Sequence, residues 1–246
     1  MSKITRQLRK LADHLEYPEY SDSRRLRIPI RQYQFFRRLQ QYQIDCILDI
    51  GANTGEYARW CATAFPGVPV HCFEPLPQCA DALTALAAKH SQVSIHRYAL
   101  GDQEATCPMF ENEYAPSSSI LPMLNRHREL WPKTCKDHSI SVPVHTLDNI
   151  MAGVDAYQRI FMKMDVQGYE MHVLRGAEST LHRVQAIQME VLFEDLYDGQ
   201  SNLRSFMNHL ADRGFVFSEF MDERRLPPSQ TLIYADAVFI RTASRF

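Results

Sequence analysis

The sequence lacks the long hydrophobic runs that anchor or export a protein. No apolar stretch approaches the roughly 18 residues needed to span a bilayer, and residues 1–6 lack the apolar core of a secretory signal. The chain also lacks an excess of either charge, since 27 Lys and Arg side chains accompany 29 Asp and Glu. These absences predict a cytoplasmic protein without a membrane span, and they give no reason to expect nucleic acid as the main partner.

Paired cysteines are missing as well. The six cysteines include no C-x-x-C pair, the spacing that marks many metal and redox sites. Cys46 and Cys72 fall in predicted buried strands, where a free thiol behaves as a small hydrophobic side chain. The sequence therefore predicts reduced thiols rather than a disulfide framework, as is usual in the cytoplasm.

Short apolar runs alternate with helical patterns from residue 46 onward. Strand patterns lie near 46–50, 70–74, 93–98, 159–165, 185–191, 215–220 and 236–241. Helical patterns lie near 56–65, 76–89, 168–182 and 201–212. This alternation predicts an α/β fold with a mostly parallel seven-stranded sheet and helices on both faces. Only Pro227-Pro228 and no long helix separates the last two strands, which predicts an antiparallel carboxyl-terminal hairpin.

The region before the alternation has its own helical character. Residues 1–45 include a second helical pattern at about 30–42 and, before it, a stripe at helical spacing formed by Ile4, Leu8, Leu11 and Leu15. We interpret residues 1–45 as an N-terminal helical extension that packs on the domain of residues 46–246. A homodimer contact through these helices and a contact with an acidic surface are the alternatives.

One segment interrupts the alternation inside the main domain. Residues 105–146 contain five prolines and a run of three serines, so they are predicted to form an irregular insertion. A long irregular insertion in a compact domain is usually functional or disordered. The insertion is therefore either a lid over a substrate or a surface excursion.

The first apolar run ends in the acid Asp49, and a turn bracketed by two glycines follows it at the sheet edge where parallel sheets bind ligands. A dinucleotide-binding turn reads G-x-G-x-x-G, but Asn53 stands where the second glycine lets the backbone approach a pyrophosphate. That replacement argues against NAD. Asp49 would repel phosphates and suits a cation. S-adenosylmethionine carries a sulfonium and an ammonium but no phosphate, so it is the predicted cofactor, with S-adenosylhomocysteine as its product.

Two further strand ends complete the predicted cofactor site. Glu74 ends the second strand and can accept hydrogen bonds from both ribose hydroxyls. The turn at residues 99–102 follows the third strand, where adenine lies in such folds, although Gly-Asp is also ordinary turn chemistry. The residues predicted to contact the cofactor are Asp49, Gly51, Ala52, Asn53, Gly55, Glu74, Pro75, Ala99, Leu100, Asp102 and Asp165.

Together these motifs resemble the FkbM family of S-adenosylmethionine-dependent methyltransferases. The likeness covers roughly residues 46–241 and rests on the stretches 48–55, 73–75, 99–102, 163–170, 173–177, 196–200 and 235–240, with Glu190. It implies a class I methyltransferase (Rossmann-like) fold and O-methylation of a hydroxyl on a sugar, glycolipid, polysaccharide or natural product. Many members carry glutamate where this chain has Gln167, which argues against a charged role at that position.

O-methylation is helped by a group that removes the proton of the hydroxyl. Asp165 and Glu190, at the ends of two neighbouring predicted strands, are the candidate catalytic residues, although Asp165 can equally hold the cofactor's amino group. His127, His138 and His145 in the insertion have a better intrinsic pKa for a base. Metal-ligand spacing is absent, so Mg²⁺ held by carboxylates is an alternative that the sequence does not favour.

The acceptor is expected to be a small molecule or a glycan. Residues 1–45 carry ten Lys or Arg against five Asp or Glu, which is the only support for an RNA ribose or protein methyltransferase instead. A non-catalytic module that binds S-adenosylmethionine is the third alternative. The intact acids Asp49, Glu74 and Asp165 argue against it.

Replacement of Glu74 tests the cofactor assignment. A hydrogen bond to an ionised acceptor contributes about 1.5–3 kcal/mol, so Glu74→Ala is expected to weaken S-adenosylmethionine binding roughly 10- to 150-fold. Calorimetric titration of the wild type and the variant measures this change. An unchanged dissociation constant would show that Glu74 does not bind the cofactor.

Overall fold

The computed structural model describes residues 20–134 and 136–242. Its helices are α1 (Tyr20–Leu26), α2 (Ile30–Leu39), α3 (Glu56–Ala64), α4 (Ala80–Lys89), α5 (Asn125–Leu130), α6 (Leu147–Met151), α7 (Glu170–Arg175) and α8 (Leu203–Ala211). Its strands are β1 (Cys46–Ile50), β2 (Val70–Phe73), β3 (Val93–His96), β4 (Ala99–Leu100), β5 (Ala105–Asn112), β6 (Asp137–His145), β7 (Ile160–Met164), β8 (Val184–Leu192), β9 (Phe215–Leu226) and β10 (Thr231–Arg241). Within this part of the chain, no helix is long and apolar enough to cross a membrane.

Seven strands form one sheet in the order β3-β2-β1-β7-β8-β10-β9. Strands β1, β2, β3, β7 and β8 pair in parallel, and β10 pairs antiparallel with both β8 and β9. The predicted fold class, including the carboxyl-terminal hairpin, is therefore confirmed. The chain leaves β1 for β2 on one side and later returns to β7 on the other, so the strand order reverses between β1 and β7. Ligands bind at such a reversal, outside the carboxyl ends of the strands.

Two apolar clusters cover the two faces of this sheet because side chains alternate along each strand. Ile47 and Phe161 contribute to the cluster that also contains α2, α3 and α4. Leu48 and Met162, the next residues along the same strands, contribute to the cluster that contains α7 and α8. All five residues of β1 are buried, as expected for a central strand covered on both sides.

Helix α2 matches the second helical pattern of the N-terminal region and packs directly on the sheet. Phe35, Phe36 and Leu39 on its apolar side are almost fully buried. The ring of Phe36 lies 5.5 Å from that of Phe65 and 6.4 Å from that of Phe161. The first helical stripe of the sequence lies outside the described residues.

The insertion is more regular than its prolines suggest. Strands β5 and β6 pair antiparallel along their lengths, and β6 also pairs with the short β4. The expectation of an irregular segment is thus wrong for both strands. Pro108 is tolerated because β5 is an edge strand of this small sheet, where a missing N–H donor costs little.

The helix predicted over residues 168–182 is interrupted after its first turns. Helix α7 ends at Arg175, and a short 3-10 helix resumes at Thr180–Arg183. Gly176 follows α7 and has no room for a side chain, because a Cβ there would lie 1.8 Å from the carbonyl oxygen of Gly101. This close approach fixes the end of the helix against the turn after β4, a contact that no local pattern indicates.

Truncation of Phe36 tests whether α2 belongs to the folding core. Removing a buried phenylalanine ring costs about 3–5 kcal/mol through lost burial and the cavity that remains. Phe36→Ala is expected to lower the free energy of unfolding by that amount in urea denaturation. Arg37→Ala on the exposed side of the same helix is the control, with an expected change within about 0.5 kcal/mol. Equal changes in both variants would contradict a core role for α2.

Candidate active site

A cavity of about 950 Å³ opens at the carboxyl ends of β1, β7 and β8. Its lining includes the predicted cofactor turn after β1 and Glu74, and we call this part the cofactor half. The hairpin of β9 and β10, the insertion, helices α2 and α3 and the end of β8 also line it, and we call this part the acceptor half. The cavity therefore lies at the reversal of strand order, with the predicted cofactor turn among its lining residues.

The turn after β1 follows a path that only small side chains allow. Gly51 and Gly55 both have positive φ, at 78° and 82°. A Cβ on Gly51 would lie 2.0 Å from the carbonyl oxygen of Asp165, so this position requires glycine. The amides of Gly51 and Ala52 donate to the carbonyl of Phe73 at 2.9 and 3.2 Å, which fixes the turn against the end of β2.

Asn53 occupies the left-handed region as well, with a φ of 48°. Asparagine tolerates this conformation better than most residues, and here its Oδ1 accepts the amide of Thr54 at 2.7 Å. The backbone N–H of Asn53 donates to Glu74 Oε2 at 2.7 Å, and the backbone N–H of Leu76 donates to Oε1 of the same carboxylate at 2.9 Å. The Glu74 carboxylate is thereby held by two backbone donors and keeps further lone pairs for a ligand.

The acids of the cofactor half are strongly desolvated. Burial raises the pKa of Asp49 to about 7, although the charge of Lys163 opposes the shift. Burial likewise raises the pKa of Glu74 to about 7 against its two backbone hydrogen bonds. The Oδ2 atom of Asp49 is buried without a hydrogen-bond partner among the described residues. Such an atom fits a cationic or donating ligand, so the residues present suit S-adenosylmethionine.

Most of the predicted cofactor residues line the cavity, but two do not. Pro75, Ala99 and Leu100 join the turn and Glu74 in the lining. Gly55 precedes α3 outside the lining, where a Cβ would collide with Leu86. Asp102 also lies outside the lining, and its Oδ2 is 2.9 Å from His172 Nδ1.

A buried ammonium lies between the two halves. Lys163 on β7 is 5% exposed, and its Nζ lies 3.5 Å from Asp165 Oδ2 and 3.9 Å from Asp236 Oδ2. Burial lowers the pKa of this amine, but the negative potential of Asp236, Asp165, Asp49 and Glu190 outweighs burial and raises it. Lys163 therefore stays charged and offsets part of the negative charge around it.

The two predicted catalytic acids are held together by one amide. Gln167 Nε2 donates to Asp165 Oδ1 at 2.9 Å and to Glu190 Oε2 at 2.7 Å. Its Oε1 accepts from Tyr197 Oη at 2.9 Å. The Asp165 side chain is 43% exposed, whereas Glu190 is buried and its pKa is raised by burial and by the charge of Asp165. The two acids thus differ in exposure, and Asp165 is the one that is open to the cavity.

The sequence motifs indicated the two acids as catalytic candidates but gave no role to Gln167 or Lys163. Only their position inside the stretch 163–170 marked them. Among the histidine candidates, His127 lines the cavity, and burial lowers its pKa to about 4. His138 and His145 lie outside the lining and face Glu111 and Glu104, respectively.

Within residues 20–134 and 136–242, no group of three or more His, Cys, Asp or Glu side chains is arranged to hold a metal ion. Glu194, which follows β8, instead accepts from Arg126 Nε of the insertion at 2.9 Å. This ion pair ties α5 to the end of β8.

The fold is that of the class I methyltransferases, and the cavity lies at its reversal of strand order. Residues 49–217 match the methyltransferase FkbM domain. The chain therefore belongs to the FkbM family of S-adenosylmethionine-dependent methyltransferases. A solved structure, methyltransferase FkbM from Methylobacillus flagellatus KT, shares the fold with a TM-score of 0.51 at 16% identity, over 80% of this chain and 43% of that chain.

Three curated relatives are similar over part of their length. The 2-O-methyltransferase NoeI of Sinorhizobium fredii is 30% identical over 67% of this chain and 70% of its own. The hexuronic acid methyltransferase AglP of Haloferax volcanii is 24% identical over 60% and 56%. The 31-O-demethyl-FK506 methyltransferase FkbM of Streptomyces tacrolimicus is 27% identical over 54% and 60%. The chain thus spans just over half to about two thirds of these relatives.

The raised pKa of Glu74 predicts pH-dependent cofactor binding. A carboxyl group with a pKa of about 7 is neutral below that pH and ionised above it, and the ionised form is the stronger acceptor. Affinity for S-adenosylmethionine should therefore fall roughly 5- to 10-fold between pH 8 and pH 5.5. Calorimetry on the wild type and Glu74→Gln measures it, because the variant reports the titration of every other group. An equal pH dependence of the dissociation constant in both proteins would contradict the assignment of Glu74 to the cofactor.

Proposed function

We propose that this enzyme transfers the methyl group of S-adenosylmethionine to a hydroxyl of a carbohydrate, either free or attached to a larger natural product. The observation that carries the proposal is the open carboxylate of Asp165 at the junction of the two halves of the cavity. The relatives' names support an oxygen acceptor, and two of them specify a hydroxyl position. A third names a hexuronic acid as the molecule that is methylated.

The acceptor half combines flat rings with hydrogen-bonding groups, as sites for polar ring molecules do. Trp60, Trp131 and Tyr234 supply aromatic surface for the C–H faces of a sugar. The carboxyl groups of Glu190 and Asp236 provide partners for its hydroxyls. This mixture favours a polyhydroxylated ring over a purely apolar acceptor.

Methyl transfer depends mainly on holding the attacking oxygen in line with the methyl carbon, about 3–3.5 Å away. When bound, S-adenosylmethionine supplies the electrophilic methyl and a neutral thioether leaving group. Asp49, Glu74 and the turn after β1 bind it in the cofactor half. Asp165 accepts the proton of the hydroxyl, which makes the oxygen a better nucleophile. Gln167 fixes the orientation of Asp165, and the ammonium of Lys163 lies 3.5 Å from Asp165 Oδ2.

The insertion acts as a lid over the acceptor in this proposal. Ser119 Oγ donates to the carbonyl of Gln167 at 2.8 Å, and Tyr197 Oη lies 3.2 Å from the carbonyl of Ser117. Trp131, between α5 and β6, lines the cavity and lies 6.3 Å, centre to centre, from the ring of Tyr234. The lid therefore meets both the residue that orients Asp165 and the hairpin.

A cytoplasmic location and a homodimer through the N-terminal helices stay predictions. Binding of Mg²⁺ stays an alternative that the sequence does not favour.

Replacement of Asp165 separates its two candidate roles. A general base contributes about 10²- to 10⁴-fold, so Asp165→Asn should lower kcat for methyl transfer by that factor with little change in the dissociation constant of S-adenosylmethionine. The assay follows labelled methyl transfer to methyl glycosides of a neutral hexose, a 6-deoxyhexose, an N-acetylhexosamine and a hexuronic acid. Asp155→Asn, an exposed site outside the cavity, is the control. A weakened cofactor affinity with unchanged kcat would assign Asp165 to the cofactor's amino group instead.

A further inference from the structure

A buried hydrogen-bond network connects helix α2 to the acceptor half of the cavity. Gln32 is 1% exposed, and its Nε2 donates to Tyr57 Oη at 2.8 Å and to Gln188 Oε1 at 3.2 Å. Gln188, also fully buried, donates from Nε2 to Asp236 Oδ2 at 2.6 Å. The network thus runs from a helix before the family-matched residues 49–217 to a strand after them.

Tyr57 closes this network with an additional bond. Its hydroxyl donates to Gln188 Oε1 at 2.6 Å while it accepts from Gln32, so the two amides and the phenol restrain one another. Gln188 Nε2 also lies 3.2 Å from Gln32 Oε1. Buried polar groups are costly unless each is satisfied, and a fully bonded set of this kind rigidifies its members. The side chain of Gln188 is therefore held in one orientation toward Asp236.

Asp236 has one oxygen engaged and one open. Oδ2 accepts from Gln188 and lies 3.9 Å from Lys163 Nζ. Oδ1 has no hydrogen bond to any of residues 20–134 or 136–242, yet it is not one of the buried atoms that lack a partner. The side chain is 16% exposed and lines the cavity. Oδ1 is consequently a fixed acceptor that a molecule in the cavity can reach.

The position of Asp236 assigns it to the acceptor rather than to the cofactor. On β10 it stands opposite Glu190 of β8, whereas the cofactor turn follows β1, on the far side of β7. Lys163 Nζ lies between Asp236 and Asp165, at 3.9 and 3.5 Å from one oxygen of each. A ring that presents one hydroxyl to Asp165 can therefore present a neighbouring hydroxyl to Asp236.

We propose that Asp236 binds a second hydroxyl of the acceptor, and that Gln32, acting through Tyr57 and Gln188, is a positioning residue for this carboxylate. The inference rests on the proposed function, because it requires an acceptor with more than one hydroxyl. It also makes helix α2 part of the site that selects the acceptor.

The test measures the binding of glycosides, apart from methyl transfer. Wild type, Asp236→Asn, Gln32→Leu and the matched control Gln34→Leu of the same helix are loaded with S-adenosylhomocysteine. Each is titrated by NMR with the same four methyl glycosides. Asp236→Asn is expected to raise the dissociation constant of the best-binding glycoside roughly 10- to 150-fold, the loss typical of a hydrogen bond to a charged group. Gln32→Leu should raise it roughly 2- to 10-fold, and Gln34→Leu should leave it unchanged.

The double variant distinguishes positioning from simple loss of stability. If Gln32 acts through Asp236, Gln32→Leu should add little to Asp236→Asn, because the two changes are then not additive. The dissociation constant of S-adenosylhomocysteine should stay within about 2-fold in every variant, since the cofactor half is untouched. Independent, additive effects of the two substitutions on glycoside binding would overturn the positioning role.

Failure of the proposed function gives a different result from failure of this inference. If the wild type binds glycosides but transfers no methyl to them, the proposed reaction is wrong, while the binding of the variants still decides the role of Asp236. If Asp236→Asn binds glycosides as tightly as the wild type, or if no glycoside binds the wild type, the assignment of Asp236 is overturned.

Discussion

The ammonium of Lys163 is the charge on which the rest of the site depends. Four carboxyl groups, those of Asp49, Asp165, Glu190 and Asp236, contribute negative potential at its position, and it is almost completely buried. Several acids at the end of one sheet repel one another, and burial makes their ionised forms costly. The central cation lies 3.5 Å from Asp165 Oδ2 and 3.9 Å from Asp236 Oδ2, and it opposes the rise that burial causes in the pKa values of Glu190 and Asp236. Removal of that cation would leave uncompensated buried charge.

Sheet register explains how these groups meet. Asp49, Lys163 and Gln188 are direct neighbours on β1, β7 and β8, so they lie in one row on one face. Two residues earlier on the same strands, the same face carries the apolar row Ile47, Phe161 and Ala186. The period of two along a strand keeps both rows on the same side. One face of the sheet therefore changes from core to site over a single pair of residues, and α2 covers both parts with Phe36 and Gln32.

The sequence predicted what is encoded locally. The fold class, the strand ends at Asp49 and Glu74, and the glycine turn follow from short apolar runs and from conformational limits that act within a few residues. The strands of the insertion and the contact of Gly176 with Gly101 depend on distant pairing, so no local pattern announced them. The network through Gln32 needs two helices, two strands and the order of those strands at once. Whether each predicted site residue binds cofactor or acceptor stays a prediction.

Two neutral side-chain amides of the site, those of Gln167 and Gln188, make hydrogen bonds that a charged residue could not make. An amide donates and accepts at the same time, so Gln167 joins Asp165, Glu190 and Tyr197 without adding charge. Gln188 does the same between the N-terminal helix and Asp236. A carboxylate at either position would have no N–H group to donate, and it would repel the neighbouring acids. Lys163 is the only buried Lys or Arg among the described lining residues, and it already faces four acids. Neutral donors are thus the complement of Lys163: the ammonium balances the charge, and the amides fix where each acid points.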